Sequence, residues 1–482
     1  MPMRLKTLGF ISCLALAYLQ PCLAQATPVP RIEKLANGLE IVVVENHAAP
    51  FVRVDLAFKA GAIAQTESTA GDFHVLEHAL LAQKQGDGST EDGLGKLGAV
   101  DWDAETGAEY LDFNLKLPSS NLVQALQLWA NMVKGSPFDQ QTVEEAKARA
   151  SQEAATQTGD PQAVYEAAMT KRVFSRFPWR RDPAGAPANI SALTVESLNS
   201  LRSTWIVPSN AFLIVVGDVQ ADDVIAAAGT AFADWRAAPT PWASPLVPQP
   251  KLGVMRPTWF SIADPRVPEG LVMVEIRYRG PDLESDPKGA FVADLWAELA
   301  STLGARFDKS VNAAVPGIHG PVLVQFLSQR DGSVISVSAA LDLDGKTPAY
   351  RRAEMLKEAF RGTEVMEMKI DPSYFSAEEI SAAKARMITA RSASLDSIDG
   401  MDAQLRFDLC SASMERFTGW EAGIQAVDRE AMANLVNDWV LHNLEVVAIR
   451  INPAEAEREA RALEAGGFEK ADAQNSFWWQ SR

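Results

Sequence analysis

The order of predicted elements in the first part of the chain recurs about 220 residues later. A strand at Val52–Phe58 precedes one predicted helix, and Val272–Tyr278 likewise precedes a helix at Phe291–Leu303. A helix–turn–strand pattern at Thr194–Val216 returns at Asp428–Ile449. Two correspondences in the same order indicate that one unit of structure is built twice. The chain has 482 residues, which is long enough for two units that each bury their own core.

A proline-rich stretch separates the two copies. Residues 237–256 contain this stretch and form the natural linker, because proline clusters interrupt regular structure. We therefore expect a first half at 27–236 and a second half at 257–482. Strands and helices alternate in both halves, and strictly alternating segments such as Tyr110–Leu117 are typical of half-buried strands.

Residues 1–26 have the layout of a secretory signal peptide. Arg4 and Lys6 precede the apolar run Leu8–Tyr18, which is too short to span a bilayer comfortably, and small residues follow it. Cleavage would leave Cys410 as the last cysteine, so no intrachain disulfide is expected. The alternative is a retained membrane anchor, but no later segment resembles a stop-transfer sequence. We expect a periplasmic or secreted protein with no stable membrane span after cleavage.

The net charge of the chain is strongly negative. It is −17 for the full sequence and becomes −19 after cleavage, because residues 1–26 carry two basic residues and no acidic one. Such a charge argues against binding to nucleic acid, whose phosphates attract basic proteins. The acidity could steer basic peptides towards the protein, or it could serve only solubility.

One segment carries the clearest chemistry in the sequence, and it reads Gly71-Asp72-Phe73-His74-Val75-Leu76-Glu77-His78-Ala79-Leu80-Leu81. Its apolar residues recur at helical spacing, which predicts a helix with one buried face. His74 and His78 are four residues apart, so both imidazoles can reach one metal ion. Glu77 lies beside them, close enough to contact a water on that ion but poorly placed as a third ligand. The alternative is a pair of ordinary histidines beside a glutamate, but a chance match is rare with only five histidines in the chain.

A third ligand could come from the helix predicted over Gln141–Thr156. Catalytic zinc sites commonly have three protein ligands and leave a fourth position to water, and two histidines with one glutamate are a known set. This helix carries Glu144, Glu145 and Glu153. Its spacing does not decide which glutamate faces the metal, and the helix could equally be a solvated acidic one.

These segments resemble the pitrilysin/insulinase (inverzincin) family of zinc metallopeptidases, in the branch that is similar to mitochondrial processing peptidase and its bacterial relatives. The His-x-x-Glu-His helix at 74–78 and the strand Asn210–Val219 carry the specific part of the resemblance. Phe232–Trp235 and, more weakly, Leu303–Phe307 extend it through nearly all of the mature chain.

The resemblance implies a set of site residues. The family's third ligand is a glutamate about seventy-five residues after the second histidine, which corresponds to Glu153. Zn²⁺ would therefore be held by His74, His78 and Glu153, with Glu77 as the catalytic base. A further acidic residue of the family would fall near Ala146, with Glu145 one position away.

The resemblance also implies an α+β fold of two duplicated halves, each a mainly antiparallel sheet with helices packed on it, together forming one clam-shell wall of a closed chamber. The expected activity is hydrolysis of peptides or unfolded polypeptide segments by the metal-binding catalytic half, 27–236. The second half is expected to be metal-free, since Asp294–Glu298 stands where the first has its histidines. The family often supplies an arginine and a tyrosine from this half, but Ser310–Pro321 contains no tyrosine.

We therefore expect a dimer, either with a related metal-free subunit or with a second copy of the chain. The alternative function is that of a catalytically weak, chaperone-like or peptide-binding subunit of a two-chain assembly.

Overall fold

A computed structural model describes residues 29–243, 247–250, 258–371 and 373–480. The predicted signal peptide lies outside the described residues, as do residues 244–246 and 251–256 of the expected linker. The last helix before that linker ends at Ala231, and the first strand after it begins at Thr258.

The described part of the first half contains eight strands and eight α-helices. The strands are β1 (Arg31–Lys34), β2 (Glu40–Glu45), β3 (Phe51–Phe58), β4 (Lys84–Gln85), β5 (Gly88–Ser89), β6 (Asp101–Thr106), β7 (Leu111–Pro118) and β8 (Ala211–Gly217). The helices are α1 (Asp72–Ala82), α2 (Thr90–Lys96), α3 (Leu122–Lys134), α4 (Gln140–Gly159), α5 (Pro161–Val173), α6 (Pro187–Ala192), α7 (Val195–Trp205) and α8 (Ala221–Ala231).

The described part of the second half contains six strands and nine α-helices. The strands are β9 (Thr258–Ala263), β10 (Leu271–Arg279), β11 (Ile318–Leu327), β12 (Val334–Asp342), β13 (Val446–Ile451) and β14 (Glu469–Ala471). The helices are α9 (Pro287–Ala300), α10 (Arg306–Ala314), α11 (Ala349–Glu358), α12 (Val365–Ile370), α13 (Ala377–Leu395), α14 (Ile398–Ser411), α15 (Met414–Ala426), α16 (Arg429–Leu435) and α17 (Pro453–Ala465). No helix in the described ranges is both long enough and apolar enough to cross a bilayer.

The two six-stranded sheets have matching topologies. The first has the order β1-β2-β8-β3-β7-β6, and the second, read from the corresponding side, has the order β14-β9-β13-β10-β12-β11. The strands from β2 to β6 in the first order and from β9 to β11 in the second correspond in the same chain order, and only the edge strands β1 and β14 differ. The pairs β2–β8 and β9–β13 are both parallel in otherwise mainly antiparallel sheets. The register also agrees: Val52 lies opposite Leu117 and Gly217, as Val272 lies opposite Leu341 and Ile451. The predicted α+β fold with duplicated halves is confirmed.

Each sheet packs one face against helices of its own half. In the first core Leu56 of β3 lies with Phe73 of α1 and Trp129 of α3. In the second core Ile276 of β10 lies with Trp296 of α9. These side chains are almost completely buried, and removal of their apolar surface from water stabilises each layer.

The other face of each sheet is covered by a helix of the opposite half. Helix α14 of the second half packs Met401, Leu405 and Leu409 on the first sheet, against Ile214 and Val216 among others. Helix α5 of the first half packs in the same way on the second sheet, in a cluster that contains Tyr165, Met169, Phe260 and Val446. The two halves therefore exchange helices, and the apolar faces of both sheets are covered only when the halves are together.

The predicted elements lie close to those observed, but both ends of one helix are shifted. The helix expected over Phe291–Leu303 is α9, which begins at Pro287 and ends at Ala300. It begins earlier because the Asp286 side chain accepts a hydrogen bond from the Gly289 N–H at 2.9 Å and Pro287 occupies the first helical position.

Candidate metal centre

Helix α1 is buried on nearly all sides, and this places three polar side chains in the interior. Its N-cap is Gly71, whose φ of +104° is accessible to glycine at little cost, and whose N–H donates to Gln65 Oε1 at 2.8 Å. His74, Glu77 and His78 are 8%, 6% and 6% exposed. Buried polar groups without partners are costly, so these three side chains need partners of their own.

The metal-binding atoms of His74, His78 and Glu153 converge on one point. His74 Nε2 lies 3.0 Å from Glu153 Oε2 and 3.1 Å from His78 Nε2, and His78 Nε2 lies 3.4 Å from Glu153 Oε1. A tetrahedral ion with bonds of about 2.0–2.1 Å holds its ligand atoms about 3.3 Å apart. The two imidazole nitrogens and the Glu153 carboxylate therefore lie at spacings close to those between zinc ligands, and the donor set fits that ion with a fourth position open. Within the described ranges, this is the group of histidine, cysteine and acidic residues arranged to hold a metal.

The two histidines differ in their surroundings. Burial lowers the pKa of His78, and a neighbouring charge on His74 lowers it further. The neutral form that binds a metal is therefore favoured at His78. His74 Nδ1 is buried and has no hydrogen-bond partner among the described residues. No side chain or carbonyl of the described residues therefore orients the His74 imidazole through Nδ1.

Glu77 is held by the end of strand β6. Its Oε2 accepts a hydrogen bond from Thr106 Oγ1 at 2.7 Å, and Thr106 is the last residue of β6. Burial raises the pKa of Glu77 to about 8, and the negative charge of Glu153 also raises it, while the Thr106 hydrogen bond lowers it. A divalent cation between the histidines would favour the carboxylate form and would therefore lower the pKa of Glu77 from this raised value.

Helix α4 brings only one of its three candidate glutamates to this site. Glu153 contacts both histidines, whereas Glu145 is exposed and accepts a hydrogen bond from Gln141 Nε2 at 2.9 Å. Glu144 is also exposed and lies 3.3 Å from Lys147 Nζ. Ala146 is completely buried in the first core, where it offers no donor to a metal.

Two residues near the centre were not singled out from the sequence. Thr106 lies 29 residues from Glu77, and no local pattern relates them. Arg149 is one turn before Glu153 on α4, and its charge acts on Glu153 and His78 while its Nη1 donates to Glu91 Oε2 at 2.8 Å. Arg149 and Glu153 have i, i+4 spacing on a predicted helix, and this spacing is a signal that could have identified Arg149.

The corresponding helix of the second half has different partners. Asp294 lies 3.6 Å from Arg416 Nη2, and Glu298 accepts a hydrogen bond from Arg386 Nε at 2.8 Å. Both acidic side chains of the expected metal-free position are therefore paired with arginines.

The arginines and the tyrosine of β10 are engaged inside the protein. Tyr278 is fully buried in the second core, and Arg277 Nη2 lies 3.0 Å from Glu166 of α5. Arg279 is also buried and contacts Asp282. All three side chains are therefore occupied by contacts within the protein.

Family models match most of this architecture. The model described as "Insulinase (Peptidase family M16)" matches residues 40–183, which contain the three converging side chains, and the model "Peptidase M16 inactive domain" matches residues 192–350. Together they cover more than half of the chain.

Individual relatives agree with the family models. The chain is 24% identical over 202 residues to a probable mitochondrial-processing peptidase subunit beta of Arabidopsis thaliana, a match that covers 42% of this chain and 38% of the relative. It is 24% identical over 243 residues to the probable zinc protease PqqL of Escherichia coli, covering 46% of this chain and 25% of that protein. The matches thus span less than half the length of these curated relatives.

Solved structures show the same fold. A protease from Helicobacter pylori superposes with a TM-score of 0.70 at 16% identity, covering 88% of this chain and 99% of that one. The periplasmic protease PqqL from Escherichia coli superposes with a TM-score of 0.71 at 17% identity, covering 91% of this chain and 49% of that one. With its duplicated fold and its matches to both family models, the chain belongs to the insulinase family of peptidases, family M16.

Proposed function

We propose that this chain is a zinc metallopeptidase that hydrolyses peptides or unfolded polypeptide segments in the periplasm or outside the cell. The observation that carries the proposal is the convergence of two imidazoles and one carboxylate. His74 Nε2 and His78 Nε2 lie 3.1 Å apart, Glu153 Oε2 lies 3.0 Å from the first, and Glu153 Oε1 lies 3.4 Å from the second. A zinc ion, when bound there, supplies Lewis acidity towards water and towards the carbonyl of the scissile bond. The relatives named zinc proteases support the choice of metal.

Glu77 is the general base in this proposal. It precedes His78 on the same helix, and the Thr106 hydroxyl fixes one of its carboxylate oxygens at 2.7 Å. The other oxygen then remains to accept a proton from water and to pass it to the leaving amine. Because the side chain is 6% exposed, bulk water competes little for that proton.

Strand β6 offers a place for an extended substrate. It lies at the edge of the first sheet, where β7 is its only neighbour among the described strands, and most of its side chains are exposed. An unpaired edge can add a peptide as a further strand through main-chain hydrogen bonds. Since β6 ends at Thr106, which contacts Glu77, a peptide added there would run past the proposed base. Unfolded segments can adopt this conformation, whereas the interior of a folded protein cannot.

The proposed division of labour assigns the site to residues 27–236 and a metal-free supporting role to residues 257–482. We further propose that the active form is a dimer, either with a related metal-free subunit or with a second copy. PqqL supports this proposal. The present chain matches 49% of the PqqL chain, so two chains of this size would together have about the length of PqqL. The second candidate function, a catalytically weak peptide-binding subunit, is favoured by the pairing of Arg277 with Glu166 of α5 and by the burial of Tyr278 in the second core.

The test compares two substitutions of the same chemistry on one helix. Glu153→Gln should abolish stoichiometric zinc binding, whereas Glu145→Gln, on the exposed face of α4, should keep about one zinc per chain. Cleavage of an unstructured peptide, sensitive to a chelator, should follow the zinc content. Full zinc in the Glu153 variant would refute the site, and zinc without any cleavage would favour the peptide-binding subunit.

The dimer is tested separately by measuring the mass of the purified chain in solution and its activity. A fully active monomer would contradict it. Activity gained on adding a related metal-free chain would favour the two-subunit form over the homodimer.

A further inference from the structure

The last described residues of the second half lie on the first half. This segment, Asp472–Gln480, follows strand β14 and is called the C-terminal tail here. Lys171 of α5 donates to three of its carbonyl oxygens: Asn475 at 3.0 Å, Phe477 at 3.0 Å and Gln480 at 3.3 Å. A charged donor shared by three backbone carbonyls fixes the course of the tail.

Trp478 connects the tail to the segment that precedes α6. Its indole Nε1–H donates to Asp182 Oδ2 at 2.7 Å, and its ring packs edge-on against Trp179, with centroids 6.0 Å apart. The other oxygen of Asp182 accepts the Gly185 N–H at 3.1 Å. Asp182 is therefore bound on one side by the second half and on the other by a loop of the first.

This loop lies directly against the start of α1. Gly185 approaches Gly71 so closely that a Cβ added at Gly185 would lie 2.1 Å from the Gly71 Cα, and the Ala186 N–H donates to the Ala70 carbonyl at 3.3 Å. Gln65 makes a second link: its amide donates to the Asp182 carbonyl at 3.3 Å, while its Oε1 accepts the Gly71 N–H. Since Gly71 caps α1, the chain of contacts from Trp478 ends three residues before His74.

The tail also lies near the helix that carries the third proposed ligand. Trp478 and Phe477 line a cavity of about 390 Å³ together with Gln157, which is one helical turn beyond Glu153 on α4. The same tail therefore lines a cavity with α4 and is joined to α1 through the loop that contains Asp182.

We propose that Trp478 is a positioning residue of the metal centre: by bonding to Asp182, the tail of the second half holds the first turn of α1 and with it His74. The inference rests on the proposed function for its metal, but the contacts that carry it lie outside the ligand set. It gives the second half a role at the site that a metal-binding motif cannot reveal.

The test removes one hydrogen bond and keeps an aromatic side chain at the position. Trp478→Phe deletes the Nε1–H donor, and Trp479→Phe, in the neighbouring ring that stacks on Phe477 with centroids 4.7 Å apart, is the matched control. Loss of a bond to a half-buried carboxylate should speed local opening by about tenfold. We expect amide exchange over residues 65–76 of the metal-free protein to quicken by that factor in Trp478→Phe and not in Trp479→Phe. Release of zinc to a chelator should also be faster in Trp478→Phe, while the urea concentration at the midpoint of global unfolding should not change.

Two further outcomes keep the inference separate from the proposed function. If the wild-type chain binds no zinc, the proposed function fails, while the exchange measurement still decides whether Trp478 holds α1. If Trp478→Phe fails to fold, Asp182→Asn keeps the shape of the acceptor and should produce the same local exchange. Exchange over 65–76 that equals wild type in a folded Trp478→Phe or Asp182→Asn variant overturns the inference. The double variant should exchange no faster than either single one, and full additivity would also overturn it.

Discussion

Three buried carboxylates share one guanidinium where α14 of the second half covers the first sheet. Arg406 Nη1 lies 2.8 Å from Asp55 Oδ2, 3.1 Å from Asp112 Oδ2 and 3.5 Å from Asp402 Oδ2. All three aspartates are 0–2% exposed, and one positive charge cannot compensate three negative ones. Burial raises the pKa of Asp55 to about 8 and that of Asp402 to about 7, and it raises the pKa of Asp112 as well. The folded protein should therefore hold protons here at neutral pH.

Replacing Asp55 with asparagine removes one of these titrations without changing the size of the side chain. An aspartate in an unfolded chain has a pKa of about 3.9, so folding raises the pKa of Asp55 by about four units. Because the folded state binds this proton more tightly, the associated stabilisation is complete below about pH 4 and is lost as the pH rises through about 8. The loss approaches about 1.4 kcal/mol per pH unit for one proton. The unfolding free energy of Asp55→Asn relative to wild type should thus rise by about 3–4 kcal/mol between pH 5 and pH 8.

Urea unfolding followed by tryptophan fluorescence at pH 5, 6, 7 and 8 measures this difference. Asp399→Asn is the control: burial raises the pKa of Asp399, but hydrogen bonds from Lys116 and Arg53 outweigh that effect and lower it. Asp399 is therefore ionised in both states throughout this range, and its substitution should shift stability by a constant amount. A pH-independent difference for Asp55→Asn, or one that falls as the pH rises, would refute the reasoning.

The remaining predictions concern the metal centre. His74→Ala and His78→Ala should each lose the zinc that wild type holds, measured by metal analysis on protein with an unchanged circular dichroism spectrum; full stoichiometry in both would contradict the ligand assignment. Glu77→Gln should keep zinc and lower turnover by about 10²-fold or more, because it keeps the shape but cannot accept a proton; near-wild-type turnover would exclude Glu77 as the base. Thr106→Val removes the hydrogen bond that lowers the pKa of Glu77, so the acid limb of the pH–activity profile should move to higher pH, and an unmoved limb would show that this bond does not tune the base.

The local features of this protein could be predicted from its sequence. Helix α1 and the proximity of His74 to His78 follow from spacing within a single turn, and the observed helix differs from the predicted one by a residue at each end. The duplication was visible because both halves keep the same order of strands, which the two sheets confirm. Glu153 is different. Spacing alone left it level with Glu144 and Glu145, and it was chosen through the family resemblance.

Some features could not be predicted from residue spacing, and each of them joins distant parts of the chain. The apolar positions Met401, Leu405 and Leu409 recur at helical spacing, but they do not indicate that α14 covers the sheet of the other half. Likewise, the aromatic residues near the C-terminus gave no sign that Trp478 bonds to Asp182, 296 positions away. Such contacts depend on how the two halves dock, and no periodic pattern of residues in the sequence indicates the docking geometry.

The exchange of α5 and α14 leads to a last prediction about the halves themselves. Residues 29–236 alone would expose the face of the first sheet that carries Val42, Ile214 and Val216, as well as the apolar side of α5. Patches of this kind are aggregation-prone when uncovered. Residues 29–236 and 258–480, produced separately, should therefore be insoluble or poorly folded, whereas their co-expression as two chains should yield a soluble complex. Cooperative unfolding of either half alone as a monomer would contradict this prediction, and it would mean that the linker joins two independent domains rather than two parts of one folding unit.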